Sequence, residues 1–191
     1  QYSDFVEPIL SFADEEGQRE IAEFIEILSK IKYHSGFSTL TGTAMRYAAE
    51  TEFLSEKGAR TNVRKIMIVV TDGRAKDIGE NTVKIVGESL REAGDLTVVA
   101  VGVNKAVESE LLEIASSPDF VHNTKKFADL HNFLSPVFAE ICKETGGETM
   151  IEGRTIDTDE DDFEFDLPCL TNGTCSMQAD IVIALDAFSG A

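Results

Sequence analysis

The stretch VRKIMIVVTDG, residues 63–73, decides the fold of this chain. Its apolar residues run without alternation from Ile66 to Val70, which is typical of a strand buried on both faces of a parallel sheet. Asp72 and Gly73 follow, and an Asp-Gly pair is common turn chemistry. The stretch therefore predicts a central parallel strand with an aspartate at its carboxyl end.

Strand and helix patterns alternate around this stretch. LTVVAVGV (96–103) is a second fully apolar strand, and TVKIVGESLREAG (82–94) before it has the spacing of an amphipathic helix that Gly94 ends. The alternation predicts an α/β fold, a doubly wound and mostly parallel sheet with helices on both faces. The other predicted strands are 5–12, an edge strand because it contains Pro8, and 119–124; the other predicted helices are 19–31, 43–56, 108–116 and 130–144.

The end of the chain, ADIVIALDAFSGA (179–191), again reads as a strand buried on both faces, with Asp186 after it. Before it, residues 149–178 show neither strand nor helix periodicity and include the acidic run DTDEDDFEFD (157–166). A calcium loop is the alternative reading of this run, but it lacks the glycine and the closing glutamate of that motif. We therefore interpret 149–178 as a solvated acidic linker.

Composition excludes several functional classes. The formal net charge is −18, which repels phosphate backbones, so we expect no nucleic-acid partner. The sequence contains no apolar run long enough for a membrane span, and its first residues lack the pattern of a signal peptide. Three cysteines without a C-x-x-C pair are too few for a disulfide scaffold.

Oxygen-bearing side chains follow the predicted strands. Asp72 and Asp186 each end a buried strand, and SGFSTLTGTAMRY (35–47) places hydroxyls at the start of a helix. Helix capping explains one such hydroxyl, but this helix start has four. Ligands of doubly wound sheets bind at the carboxyl ends of strands, and oxygen donors suit a hard cation such as Mg²⁺. The hydroxyl side chains are Ser38, Thr39, Thr41 and Thr43.

An enzyme is the alternative use of Asp72, as a nucleophile that accepts a phosphoryl group. That chemistry needs a lysine and a second aspartate nearby, and Lys76 and Asp77 do not have a matching spacing. The sequence also has no glycine-rich phosphate loop after a strand, and its three histidines form no cluster. We therefore expect no enzymatic activity.

Four motifs in this order, QYSD, TLTGTA, IVVTDG and VVAVGV, resemble those of von Willebrand factor type A domains, in particular matrix members such as matrilins and type VI collagens. The resemblance extends from residue 1 to about residue 145, where FVHNTKKFADL resembles the last strand and the entry into the final helix. It implies a mostly parallel sheet of six strands with one antiparallel edge strand. It also implies a metal-ion-dependent adhesion site, with Thr39 and Asp72 among the ligands.

The resemblance also implies a domain organisation. Residues 1–148 would be a type A domain that lacks its first strand and first helix, 149–178 a linker, and 179–191 the first strand of a second type A domain. We expect residues 180–185 to fill the place of the missing strand beside residues 65–70. Asp186 would then join Thr39 and Asp72 in a partial copy of the site.

The terminal motif departs from the D-x-S-x-S of the family. Phe188 and Gly190 stand where the two serines are expected, and Ser189 is one place off. Two hydroxyl ligands are thus lost, so we expect Mg²⁺, or Mn²⁺ or Ca²⁺ in its place, to bind weakly or not at all.

Cysteine placement resembles that of secreted matrix members. In the family members that this resembles, the cysteine at the end of the last helix, here Cys142, pairs with an upstream cysteine. Cys175 is the substitute available in this chain, and Cys169 is left over; three unpaired thiols are the alternative. Asn172 begins the sequon Asn-Gly-Thr, a glycosylation site in a secreted protein. These features predict a secreted, extracellular glycoprotein.

The resemblance implies a non-enzymatic adhesion module. Its partners would be extracellular matrix proteins, collagen among them, whose acidic side chain completes the coordination of the metal. The alternative is a metal-independent structural spacer or assembly domain of a matrix protein. Dependence of binding on the metal separates the two.

Overall fold

The computed structural model describes residues 1–12, 26–27, 29–32, 37–130 and 179–186. The chain divides into two compact units, Gln1–Phe127 with Ala179–Ala191, and Ala128–Gln178. The helices and strands that follow belong to the first unit. Among the described residues, the strands are β1 Arg64–Thr71, β2 Leu96–Val103, β3 Val121–Thr124 and β4 Ala179–Leu185, and the α-helices are α1 Thr41–Tyr47, α2 Val83–Ala93 and α3 Glu108–Ile114.

The described strands form one sheet in the order β3-β2-β1-β4, and each neighbouring pair is parallel. Consecutive strands β1, β2 and β3 are joined through α2 and α3, the connections that parallel pairing requires. The predicted α/β fold with a parallel sheet flanked by helices is confirmed. β1 and β2 form the core, as their apolar runs predicted: Met67, Val69, Val99 and Val103 are all fully buried.

The terminal strand β4 pairs with β1 in parallel, with Ile181 opposite Ile66 and Leu185 opposite Val70. The predicted ladder between residues 180–185 and 65–70 is therefore present. The prediction that this strand is buried on both faces is wrong at Ile183, which is 54% exposed. Because side chains alternate between the two faces of a strand, one face of β4 is buried and the other is open at this position.

The helices begin and end close to the predicted residues. Gly94, with φ of +70°, ends α2 as expected. α1 does not continue as one regular helix: it passes into a π-helical turn at Ala48–Glu52. Gly87 lets α2 and α3 pack closely, because a Cβ there would lie 2.0 Å from the carbonyl oxygen of Glu113.

The predicted edge strand at residues 5–12 is wrong. This part of the chain makes an isolated antiparallel bridge between Tyr2 and Val6 and no strand. The pairing reaches Gln1 and Glu7, where the backbone N–H of Glu7 donates to the carbonyl oxygen of Gln1 at 2.8 Å, and Pro8, which follows, has no N–H to donate to a ladder. Of the predicted helix at 19–31, the structure describes a short helical piece that includes Glu26 and Ile27. The rest of that helix, most of the one at 130–144, and the linker 149–178 lie outside the described residues.

None of the helices in the described part of the chain is long and apolar enough to cross a membrane.

Candidate functional site

The three predicted metal ligands lie at one edge of the sheet, where β1 and β4 end. Asp72 directly follows β1, and Asp186 follows β4, with its backbone N–H 3.0 Å from the carbonyl oxygen of Val70. Thr39 reaches the same place from the loop before α1, because a Cβ on Gly73 would lie 3.6 Å from its hydroxyl oxygen. The tertiary structure thus brings the predicted residues of all three segments to the carboxyl end of β1.

Asp186 is a buried carboxylate that β1 holds in place. Its side chain is only 4% exposed, and its Oδ2 accepts a hydrogen bond from the hydroxyl of Thr71 at 2.9 Å. Sequence analysis did not single out Thr71, although it stands next to Asp72 in the TDG motif. The register explains its role. Val70 pairs with Leu185, so the residues that follow them, Thr71 and Asp186, lie opposite each other.

Tyr2 is a second site residue that sequence analysis missed. It is fully buried, its backbone N–H donates to the carbonyl oxygen of Leu185 at 2.8 Å, and its hydroxyl lies 3.4 Å from the carbonyl oxygen of Val70. The hydroxyl of Thr41 lies 3.5 Å from the phenol oxygen. Burial, with the negative charge of Asp186, raises the pKa of Tyr2, so the phenol stays neutral and cannot serve as an anionic ligand.

Asp72 is half-buried and lies at the carboxyl end of β1. Burial raises the pKa of Asp72, and its own backbone N–H and the positive charge of Lys105 oppose that rise. A partly desolvated carboxylate gains from a nearby cation, because the cation replaces the hydration that burial removes. A bound cation would lower the pKa of Asp72 again and keep it ionised, the form that binds a metal.

The loop that carries Thr39 is held from two directions. Asp4 accepts hydrogen bonds from the backbone N–H groups of Phe37 and Ser38 at 3.1 and 2.5 Å. On the other side, the backbone N–H of Lys76 donates to the carbonyl oxygen of Thr39 at 2.8 Å. The backbone of Thr39 is therefore fixed relative to β1 without any use of its own hydroxyl.

The hydroxyl side chains at the start of α1 have separate roles. Asp77 accepts from the backbone N–H groups of Gly42 and Thr43, both at 2.9 Å, and from the hydroxyl of Thr43 at 2.7 Å. A carboxylate from another loop therefore caps this helix, and none of its own residues makes a side-chain cap. Asp77 is thus engaged at the helix start, and so it is not free to be the second aspartate of a phosphoryl-transfer site.

The donor set suits a hard cation. Thr39, Asp72 and Asp186 offer only hydroxyl and carboxylate oxygens, and Mg²⁺ is commonly bound by one or two carboxylates while it keeps several waters. In the described part of the chain, no group of three His, Cys, Asp or Glu side chains comes together in a metal cluster. A site here would therefore depend on hydroxyls as well as carboxylates.

Several predicted sites lie outside the described residues. These are the proposed Cys142–Cys175 disulfide with Cys169, the sequon at Asn172, and the positions Phe188, Ser189 and Gly190 of the terminal motif. They stay predictions.

Comparison with protein families gives a match over residues 1–136 to the von Willebrand factor type A domain. Matrilin-1 of Mus musculus is 37% identical over 110 residues, 56% of this chain and 21% of that protein. The collagen alpha-1(XII) chain of Notophthalmus viridescens is 33% identical over 126 residues, 64% of this chain and 13% of that protein. The collagen alpha-6(VI) chain of Mus musculus is 34% identical over 125 residues, 65% of this chain and 5% of that protein. The chain therefore spans only a small part of the relatives it matches.

Solved structures agree with the sequence matches. Proximal thread matrix protein 1 from the mussel byssus matches with a TM-score of 0.56 and 25% identity, over 61% of this chain and 29% of that one. A second structure of the same protein, described as having a zinc-occupied MIDAS motif, matches with a TM-score of 0.55 and 25% identity, again over 61% of this chain and 29% of that one.

Proposed function

The chain belongs to the von Willebrand factor type A family, and on that premise we propose that it is a non-enzymatic, extracellular adhesion module that binds protein ligands of the matrix. The observation that carries this proposal is the meeting of Thr39, Asp72 and Asp186 at the carboxyl end of β1. The matrilin and collagen relatives support a secreted matrix setting, and collagen is one candidate ligand.

Metal-assisted binding is the finer part of the proposal. A bound Mg²⁺ would supply a positive charge that an acidic side chain of the ligand coordinates. Asp72 would hold the ion through a carboxylate that lies at the end of β1 and is less buried than that of Asp186. Thr39 would add a hydroxyl from a loop that is held in place on both sides. The mussel protein, one structure of which is described as having a zinc-occupied MIDAS motif, supports a metal site in a protein of this fold.

Exposed apolar side chains beside the Thr39 loop give the ligand a surface to contact. Phe37 is 94% exposed and Ile78 is 86% exposed. Lys76 joins the two segments, because its ammonium group donates to the carbonyl oxygen of Phe37 at 2.7 Å. An apolar part of a ligand could contact these side chains next to the metal.

A metal-independent spacer is the second candidate function, and one observation favours it. Asp186 is buried and already accepts a hydrogen bond from Thr71, so its carboxylate is less available to an ion than that of Asp72. Together with the absent serines of the terminal motif, this leads us to expect weak binding of Mg²⁺, with Mn²⁺ or Ca²⁺ as substitutes.

Calorimetric titration with millimolar Mg²⁺ tests the metal. We expect weak binding that Asp72→Asn abolishes and that the matched control Asp95→Asn, at an exposed position, leaves unchanged. A dissociation constant in the low micromolar range would mean that the site is more complete than Thr39, Asp72 and Asp186 allow. Titration with Zn²⁺ in parallel shows whether the preference follows that of the mussel protein.

Binding to immobilised collagen, with and without EDTA, then separates the two candidate functions. Loss of binding in EDTA and in the Asp72→Asn variant supports the adhesion site. Binding that EDTA and Asp72→Asn leave unchanged supports the metal-independent spacer.

A further inference from the structure

Strand β4 is seated by backbone hydrogen bonds on both sides. On one side it runs in register with β1 from Arg64–Ala179 to Val70–Leu185. On the other side, the carbonyl oxygen of Leu185 accepts from the backbone N–H of Tyr2 at 2.8 Å. The place that β4 occupies is therefore a slot between β1 and the segment of Tyr2, and an empty slot would leave unpaired groups along β1 and at Tyr2.

Each end of the slot recognises one aspartate of the strand. Asp180 is 5% exposed and accepts from the backbone N–H and the Nε of Arg60, at 2.6 and 2.8 Å. Asp186, at the other end, accepts from Thr71. A strand shifted by one residue would turn both carboxylates to the opposite face and away from these donors, so the two contacts favour the observed register.

The covalent path to β4 is long. The family match ends at residue 136, so β4 lies outside it, and residues 128–178 separate β4 from the rest of its unit. Closing so long a connection has an entropic cost, so the covalent link gives β4 only a limited advantage over the same strand of a second copy.

We propose that this slot also accepts strand 179–186 of a second copy of the chain. A mutual exchange keeps the β1 ladder, the Arg60 contact and the Thr71 contact in both copies, so its cost is that of association alone. The strand carries Asp186 with it. If the proposed metal site is right, each site of an exchanged dimer then draws Thr39 and Asp72 from one copy and Asp186 from the other.

Exchange is tested by a disulfide between chains. Ile68 and Ile183 are opposite each other in the β1–β4 register, so cysteines at these two positions can meet. One chain carries Ile68→Cys and the other Ile183→Cys, with the three native cysteines replaced by serine in both. The two are unfolded together, refolded together in EDTA, and oxidised. We expect a cross-linked heterodimer whose fraction rises with total protein concentration.

Two controls make the result decisive. The chain that carries both Ile68→Cys and Ile183→Cys should close an internal disulfide, which shows that the geometry permits the bond. A mixture of the Ile68→Cys chain with an Ile85→Cys chain measures the cross-linking that random collisions produce. Ile85 is 45% exposed and lies on α2, which is not part of the slot. If the double variant closes and the test mixture cross-links no more than the collision control, the proposal is wrong.

A second measurement needs no substitution. Unlabelled and ¹⁵N-labelled chains are refolded together and analysed by native mass spectrometry, where exchange produces a dimer of intermediate mass. Complete absence of that dimer at all protein concentrations overturns the proposal even if Ile68→Cys disturbs folding. Because both experiments are run in EDTA, their outcome is independent of the proposed metal site.

Discussion

The hydroxyl of Thr71 donates a 2.9 Å hydrogen bond to the carboxylate of Asp186, 115 positions further along the chain. The bond joins the ends of β1 and β4 at the edge where the candidate site lies. It ties the position of a proposed metal ligand to the seating of the terminal strand, so substitutions at either residue should affect stability as well as binding.

Thr71→Val keeps the shape of the side chain and removes its donor. We expect a loss of unfolding free energy of about 1–3 kcal/mol, because the buried carboxylate of Asp186 loses a hydrogen bond that water cannot replace. Urea unfolding measures it. Thr97→Val on β2 is the matched control and should change stability much less; equal effects of the two substitutions would refute the assigned role of Thr71.

Arg60→Ala removes the side-chain partner of Asp180. We expect a loss of about 1–2 kcal/mol, less than for a fully buried pair, because the Arg60 side chain is 53% exposed and the backbone N–H at position 60 still donates to Asp180. Chemical unfolding is again the measurement. Lys30→Ala breaks an ion pair whose two side chains are 70% and 63% exposed, and a similar loss there would contradict the argument.

Glu52 ends the π-helical turn after α1 and is 6% exposed. Its Oε1 accepts from the hydroxyl of Tyr47 at 3.0 Å, whereas its buried Oε2 has no hydrogen-bond partner in the described structure. Glu52→Gln keeps an acceptor for Tyr47 and removes the charge, so we expect thermal unfolding to show a gain of about 1 kcal/mol at neutral pH. Glu50→Gln, at an exposed position of the same turn, should be neutral; a destabilised Glu52→Gln variant would mean that the carboxylate has a use that these contacts do not include.

The raised pKa of Glu110 predicts that the free energy of unfolding depends on pH. Burial raises the pKa of Glu110, and the backbone N–H of Ala75, which donates to it at 2.7 Å, opposes that rise. A raised pKa in the folded state means that Glu110 contributes most at low pH and that its contribution is lost as the pH rises through the raised value. Relative to Glu110→Gln, the unmodified chain should therefore lose stability between about pH 4 and pH 7. Thermal unfolding of both proteins across this range checks the sign, and a difference that is constant or that grows in favour of the unmodified chain would be inconsistent with it.

Much of the fold follows from local sequence. The apolar runs of β1 and β2 predicted central strands, and Gly94 ends α2 as its position suggested. The apolar run of β4 predicts a strand for the same reason. Its pairing with β1 follows from the resemblance to type A domains, which places a first strand beside β1. The strand predicted at residues 5–12 does not form. Its formation would need a neighbouring strand to pair with, and Pro8 has no N–H for such pairing; hydrophobic periodicity detects neither condition.

The candidate site was predictable only in part. Thr39, Asp72 and Asp186 could be named because each stands in a motif at a strand end or a helix start. Thr71 and Tyr2 could not, since their roles depend on which strand lies opposite and at what register.

The sequence by itself determined where the strands and helices form, because hydrophobic periodicity and turn residues act over a few neighbouring positions. Only the tertiary structure decided which side chains share an environment. Asp77 caps a helix that begins at Thr41, Arg60 holds Asp180, and Thr71 meets Asp186, and in each pair the partners are far apart in the chain. The physical reason is that a buried carboxylate takes whichever donor the packed sheet brings within hydrogen-bonding distance, and that choice is made by register and burial rather than by sequence spacing.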